Sequence, residues 1–466
     1  MDLFWLDLYS RALDRFCEKL PRSRGVVVAF NTNIDGIINL TDRRLSSLAE
    51  KERDLLKQAY ERKDSPPGRI DTPVDFLAGL LHFFERGAGG EYMIYDPSVY
   101  DWIVSRLPID EYRMGGNAGI MANALSRLGA RFVIPHAVQL PERQAKLFLD
   151  EGRIRLPVLE GGELRFLPPS RVHRPDRELV HLIIEFKEGA VLDVGGRRIR
   201  APRSNRFIAN VDDFNGRIVI DEAFVKAVDR QIGDVDKFIL TGLHMLKRSY
   251  DDGVTYLDRL KEVMDHMERW RSMNPEMKVH FELADIQDPL IRRDVVKMAC
   301  DVADSVGLNE DELGAVTGRP SLPGIDDIAE SMERFLSSYP VGKVLLHSKD
   351  FVAAMTTDGY YADPLTVRDS MMVGVLSSQW RAYSGQFGTI EDLRSLLASG
   401  AVSPSSQGLE AYSSFESSRG VEEAGIARQG RGVDFLFIPC LLSEVTRNTV
   451  GLGDCLTAGS VLSEIR

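Results

Sequence analysis

From about residue 236 onward, short apolar runs alternate with helical stretches so regularly that few architectures stay open to the chain. KFILTG precedes a helix expected near 255–271, MKVHFELAD one near 289–300, and ADSVGLNE one near 309–317. A helix near 325–337, the runs VGKVLLHS and FVAAMTTDG, and VDFLFIP before a terminal helix complete the series. Strands separated by helices pair in parallel, and such a sheet is wrapped by helices on both faces. RGVVVAF, residues 24–30, is the same kind of β-branched run, suited to a strand buried on both faces. At 466 residues the chain has length for two or three ordinary domains, or for one large α/β domain carrying an insertion.

Residues 140–210 break the alternation. HLIIEFKEG, AVLDVGG and RFIANVDDF are strand-like pieces with Gly, Pro and Arg between them, which predicts a β-rich insertion placed to close over the sheet as a lid. SPSSQGLEAYSSFESSRG, residues 403–420, is so rich in Ser and Gly that a mobile surface loop is expected. The opening MDLFWLDLYSRALDRF reads as an amphipathic helix, with acids where a secretory signal would be basic. No apolar run approaches the roughly 20 residues of a membrane span. A net charge of −12 argues against a nucleic-acid surface, because phosphate backbones demand a basic stripe. Cys17, Cys300, Cys440 and Cys455 lie far apart without metal-ligand or CxxC spacing. Neither a disulfide framework nor a zinc site is signalled, and a cytoplasmic location is expected.

The residues suited to chemistry cluster around glycines. GLGD at 451–454 stands between VDFLFIP and a helix of small residues. Amides of such a turn, aimed by a helix N-terminus, cradle an anion where a β-carbon would intrude. Asp454 is then either a helix cap or a base facing an incoming hydroxyl. NTNID at 31–35 follows the first strand with Asn31, Asn33 and Asp35 alternating, a pattern suited to gripping sugar hydroxyls or to a plain polar turn. MGGN at 114–117 opens a second helix, closed by Gly129. There is neither a GxxxxGK[ST] phosphate loop nor a GxGxxG after the first strand.

Taken in order, NTNID, MGGNAGIMAN, HFELAD, VGLNEDEL and TVGLGD resemble the motifs of the archaeal ADP-dependent sugar kinases, glucokinase and phosphofructokinase, of the ribokinase-like superfamily. The resemblance runs from about residue 20 to the end. It implies a Rossmann-type large α/β domain (1–32, 42–64, 116–138 and 211–466) and a smaller β-rich lid of discontinuous segments (33–41, 65–115 and 139–210), with sugar between them. It further implies Asp454 as the base, and Gly451, Leu452 and Gly453 as the anion hole for the transferred phosphoryl. Glu282 in the HxE motif and Glu312 in the NxxE motif would share a Mg²⁺ or other divalent cation, held largely through waters. Asn33, Asp35, Gly115, Gly116 and Asn117 match the hydroxyl-binding loops. Glu91 in GAGGE aligns with the glutamate that contacts glucose in the glucokinase branch.

The expected lid also carries RVHRP at 171–175 and RRIRAPRSNR at 197–206, dense cations in an acidic protein. Arg171, His173, Arg197 and Arg203 are the candidates for a sugar phosphate, and Arg206 for the nucleotide phosphates. Arg447 and Thr449 precede GLGD and are assigned to phosphate as well, with His347 of HSKD near the adenine slot. The glutamate and the cations together favour a dual phosphofructokinase and glucokinase with ADP as donor. An enzyme restricted to glucose, an ATP-using ribokinase-type kinase and a catalytically dead sugar sensor are the alternatives. Cys455 stands where the family usually has threonine, which weakens one hydroxyl contact. No nucleic-acid or membrane partner is expected, and the oligomeric state is left open, a monomer being compatible.

Overall fold

Val26, Val27, Val28 and Ala29 have no exposed surface in the strand Gly25–Ala29, because parallel strands flank it and helices cover both faces. The computed structural model describes residues 2–319, 321–421, 423–429 and 432–465. Its nine-stranded sheet runs, from one edge, Phe132–Pro135, Gly25–Ala29, Val235–Leu240, Lys278–Glu282, Ser305–Leu308 and Lys343–His347, all neighbours parallel. Phe351–Thr357, Val433–Pro439 and Ile426–Gln429 then extend it antiparallel. The expected helices appear as Tyr256–Met273, Pro289–Val302, Glu310–Thr317 and Ile325–Ser338. Pro364–Ser384, a long helix packed against the terminal helix Leu452–Ser463, had no counterpart in the sequence reading. It is buried all round, so it shows no amphipathic stripe.

A second sheet of five strands, ordered Gly90–Met93, Asn205–Asn210, Val180–Phe186, Asn33–Asn39 and Glu111–Gly115, forms the smaller lobe. NTNID is therefore not only a turn: from Asn33 it is a strand whose pairing sets Asn33 opposite Gly115 and Asp35 opposite both Arg113 and His181. One face of this sheet is covered by Pro73–Arg86, and the short helices Asp42–Lys51 and Arg53–Arg62 pack beside it, both against the strand Val191–Val194 and the second also against Pro73–Arg86. Leu45, Leu48, Leu56 and Ala59 sit in the small core, which corrects the assignment of 42–64 to the large lobe.

The reverse correction applies to 139–178. Phe148, Ile154, Leu156, Val158 and Val172 join the large core. The backbone of Arg153 and Arg155 pairs with Val133 on the edge strand Phe132–Pro135, and the hairpin Leu156–Glu160/Glu163–Leu167 follows directly. These residues cover a sheet edge that would otherwise stand open. The small lobe is thus built from 33–115 and 180–210.

Residues 403–420 do not form a loop either. Ser405 caps the helix Ser406–Arg419, accepting from the Gly408 N–H, and Tyr412 and Phe415 are buried. Leu409, Tyr412 and Phe415 recur at helical spacing, while most of the serines occupy the outer face.

Candidate active site

The terminal helix starts at Gly451, whose φ of 71° lies in the left-handed region, and a Cβ there would come within 2.8 Å of Ile120 Cδ1. Glycine alone fits this turn. No side chain caps the helix, so the amides of its first turn stay free for an anion. Asp454 sits in that first turn, and its Oδ1 accepts from Asn117 Nδ2 at 2.8 Å. Burial pushes the carboxyl up to about 7; Glu282 and Asp35 push the same way, while Asn117 and His347 oppose them.

Asn117 is held in turn by the sugar-loop candidates: its Oδ1 lies 3.4 Å from Asn31 Nδ2. Asn31 adopts φ 66°, a conformation that asparagine tolerates. Asn33 Nδ2 donates to Asp35 Oδ1 at 2.9 Å, and burial raises the Asp35 carboxyl to about 6. The chain packs so closely here that a Cβ on Gly115 would sit 2.1 Å from Asp35 Oδ1 and one on Gly116 2.4 Å from the Asn31 carbonyl oxygen. MGG is required because the two lobes cross between Asn31 and Asn117.

His181, which the sequence reading passed over, lies beyond Asp35. Its Nε2 pairs with the fully buried Asp212 at 3.1 Å, and its Nδ1 lies 3.7 Å from Glu91 Oε1. Burial opposes protonation of the imidazole, yet Asp212 and Glu91 together raise its pKa. A charged-type residue at an inward strand position, with Asp212 just after another strand, was the available signal. Arg113, likewise missed, stands two residues before Gly115, and its Nη1 donates to Asn448 Oδ1 at 3.3 Å, joining the smaller lobe to the segment before GLGD.

At the carboxyl edge of the large sheet Glu282 accepts from His347 Nε2 at 2.8 Å on one oxygen and lies 3.1 Å from His280 Nε2 through the other. Burial alone would raise its pKa, but the two histidines hold it at about 2. Glu312 takes the bland role: its carboxylate closes a capping box with the Asn309 N–H at 2.9 Å. Burial raises it to about 7, and His347 lies near enough to favour its charge.

Two clefts meet at the segment before GLGD. One of about 780 Å³ is lined by His347, Ser348, Cys440, Thr449, Leu452 and Gly453. The other, of about 1670 Å³, runs between the lobes past Arg44, Arg113, Arg206, Arg447 and Asn448. Thr446 and Thr449 line both. Arg206, His347, Arg447 and Thr449 are thus brought to cleft walls. Arg171, His173, Arg197 and Arg203 line neither. Arg171 and His173 are exposed on the segment that covers the large sheet, with His173 3.9 Å from Glu142. Arg197 stacks over the Tyr60 ring at 5.0 Å, and Arg203 Nε donates to the Gly87 carbonyl at 2.7 Å. Long cations on strand edges find local partners, which the spacing of arginines does not reveal. Cys455 is buried in the terminal helix. Among the described residues no helix is long and apolar enough to cross a membrane.

Residues 24–463 match the model of the ADP-specific phosphofructokinase/glucokinase conserved region. An ADP-specific phosphofructokinase of Methanosarcina acetivorans is 30% identical over 98% of this chain and 96% of its own length. An ADP-dependent glucose/glucosamine kinase of Pyrococcus abyssi is 30% identical over 99% and 98%. Among solved structures, an ADP-dependent kinase in complex with fructose-6-phosphate and ADPbetaS superposes with a TM-score of 0.82 at 26% identity, covering 99% of this chain and 97% of that one. The last common ancestor of ADP-dependent phosphofructokinases from Methanosarcinales gives 0.81 at 28%, over the whole of both chains. With the family model matched over residues 24–463 and relatives 30% identical over nearly the full length of both chains, the chain belongs to the ADP-specific phosphofructokinase/glucokinase family.

Proposed function

We propose that the protein transfers the β-phosphoryl group of ADP to a hydroxyl of fructose 6-phosphate or glucose, releasing AMP. The observation that carries this reading is the Asp454 carboxyl, raised to about 7 at the mouth of a helix whose first amides are uncapped. Asp454 takes the hydroxyl proton as the sugar oxygen bonds to phosphorus. The bond from that phosphorus to the bridging oxygen breaks, and the electron pair leaves with AMP. The amides of Gly451, Leu452 and Gly453 face the charge on the migrating group. Asn33, Asp35, Glu91, Asn117 and His181, with the backbone of Gly115 and Gly116, hold the hexose; Arg206, Arg447 and Thr449 border both phosphate-bearing ligands. His347 and the apolar wall beside Cys440 border the nucleotide.

A divalent cation fits this edge in one way. Among the described residues no three metal-ligating side chains converge, and both oxygens of Glu282 already face histidines. Glu282 and Glu312 would therefore hold Mg²⁺ through waters rather than as a protein cage. When bound, the ion would neutralise charge on the phosphates. A coupled assay with glucose and with fructose 6-phosphate, each with ADP and with ATP, tests the reading. Turnover is expected with ADP on both sugars; turnover with ATP alone would overturn the donor assignment.

Three further outcomes are expected. Glu91→Ala leaves Asn210 without its carboxylate partner and removes a negative charge 3.7 Å from His181 Nδ1. It should lower kcat/KM for glucose about 10-fold more than for fructose 6-phosphate, the worth of one lost charged hydrogen bond. Equal losses on the two sugars would remove its discriminating role. Arg206→Ala should raise KM for ADP and fructose 6-phosphate while sparing glucose. Arg203→Ala removes one of the two donors to the Gly87 carbonyl at the start of the loop carrying Glu91, Asn205 Nδ2 remaining, so steady-state kinetics should show both sugars affected alike.

A further inference from the structure

TGLHM, residues 241–245, follows the central strand Val235–Leu240 at the carboxyl edge of the large sheet. The turn is tied to the sugar loop: the Thr241 N–H donates to the Ala29 carbonyl at 2.6 Å and the Phe30 N–H to the Thr241 carbonyl at 2.7 Å. Gly242, at φ 75°, lies so close that a Cβ would stand 2.7 Å from that of Asn31. On its other side the segment meets the lid. Lys247 Nζ donates to the Tyr95 hydroxyl at 3.1 Å and lies 2.8 Å from Met93 Sδ, at the end of the strand that carries Glu91. His244 is thereby held between the Asn31–Asn33 loop of one lobe and the Glu91 strand of the other.

Its surroundings are polar and incompletely paired. His244 feels the charges of Glu91, His181 and Asp285. Its Nδ1 is buried with no hydrogen-bond partner. His181 spends Nε2 on Asp212, and its Nδ1, 3.7 Å from Glu91, is beyond hydrogen-bond reach. Glu91, His181 and His244 thus come within electrostatic reach of one another from two lobes while the His244 Nδ1 stays unpaired, and a buried polar atom left unpaired is costly.

We propose that His244 is the large-lobe partner of the hexose, its Nδ1 hydrogen-bonding a ring hydroxyl on the side of the sugar that Glu91 and His181 face. The proposal rests on the hexose-kinase reading above. It makes the sugar a bridge between lobes: a hydroxyl held by His244 below and by Glu91 and His181 above draws the lid down as the sugar binds. The side chain acts on sugar affinity and on the choice of sugar, with no part in the proton transfer.

The test is calorimetric binding of glucose and of 1-deoxy-, 2-deoxy- and 3-deoxyglucose to the wild type, His244→Ala and His244→Gln, with ADP binding and melting temperature measured alongside. His244→Ala is expected to weaken glucose about 10- to 100-fold and leave ADP binding within about twofold. One deoxy sugar that the wild type disfavours should lose its penalty in His244→Ala, and His244→Gln should recover part of the glucose affinity. Unchanged penalties for all three analogues, or equal weakening of glucose and ADP, would overturn the proposal. A wild type that binds and phosphorylates glucose beside an unaltered His244→Ala would refute this role alone, whereas a wild type that binds neither glucose nor fructose 6-phosphate would refute the kinase reading with it.

Discussion

Asp454→Ala is expected to lower kcat by about 10²- to 10⁴-fold through loss of the base, and further where the acceptor hydroxyl is no longer positioned, while hexose affinity persists. Asn117 stays anchored by Asn31 and the sugar loop stays paired in its sheet, so the pocket should survive the substitution. If sugar binding measured by calorimetry vanished together with turnover, Asp454 would be a pocket residue and not a base. In the wild type the acid limb of kcat/KM should fall near pH 7, because only the ionised carboxylate takes a proton and burial holds its pKa at about 7.

The same shift has a stability consequence of definite sign. The folded pKa stands above the ordinary value of 3.8, so the contribution of Asp454 to stability is complete below pH 3.8 and is lost as pH rises through about 7. Asp454→Asn, which carries no charge to bury, should therefore melt above the wild type at pH 8, and the gap should be narrower at pH 5. A gap that widened on acidification would contradict the raised pKa.

Glu282→Gln is expected to cost about 3–5 kcal/mol of folding stability at pH 7, the usual result of removing one partner from a buried charged group. Glu282 is 5% exposed and serves His280 and His347 with one oxygen each. A glutamine has one carbonyl oxygen and cannot accept from both. The folded pKa of about 2 lies below the ordinary 4.5, so this contribution is present above pH 4.5 and fades as pH falls through about 2. Denaturant unfolding should show the deficit at pH 7 and a smaller one at pH 3. His347 also lines the cleft that we assign to the nucleotide, so on that assignment ADP affinity should fall in the same variant. Wild-type unfolding midpoints at pH 7 would show that the His280–Glu282–His347 group does not hold the sheet edge together.

How far the chain alone could be read differs between its parts. The parallel strands and their helices were legible because hydrophobic periodicity is local: a run such as VGKVLLHS announces a strand wherever it lies. GLGD and MGGN were legible for a related reason, since a left-handed turn or a close backbone crossing admits glycine and little else, as Gly451 and Gly116 demonstrate. The helix Ser406–Arg419 was hidden by its serines, whose abundance masked Leu409, Tyr412 and Phe415 on one face.

Membership of a lobe was a different matter. Whether 42–64 covers the small sheet or the large one depends on which apolar face lacks a cover, and whether 139–178 belongs to the lid depends on an edge strand that needs pairing. Neither requirement is written in the segment itself. The same holds for side chains that act in pairs. Arg203 and Arg197 looked like phosphate ligands in the sequence, yet a carbonyl at Gly87 and the ring of Tyr60 claim them. His181 looked like nothing, yet it pairs with the buried Asp212 and lies 3.7 Å from Glu91 on a neighbouring part of the small lobe. Local sequence determined the elements and the glycine turns, because those follow from the periodicity and sterics of a few consecutive residues. The tertiary structure alone decided which lobe each piece serves and which polar side chains converge, because burial and pairing are settled between residues far apart in the chain.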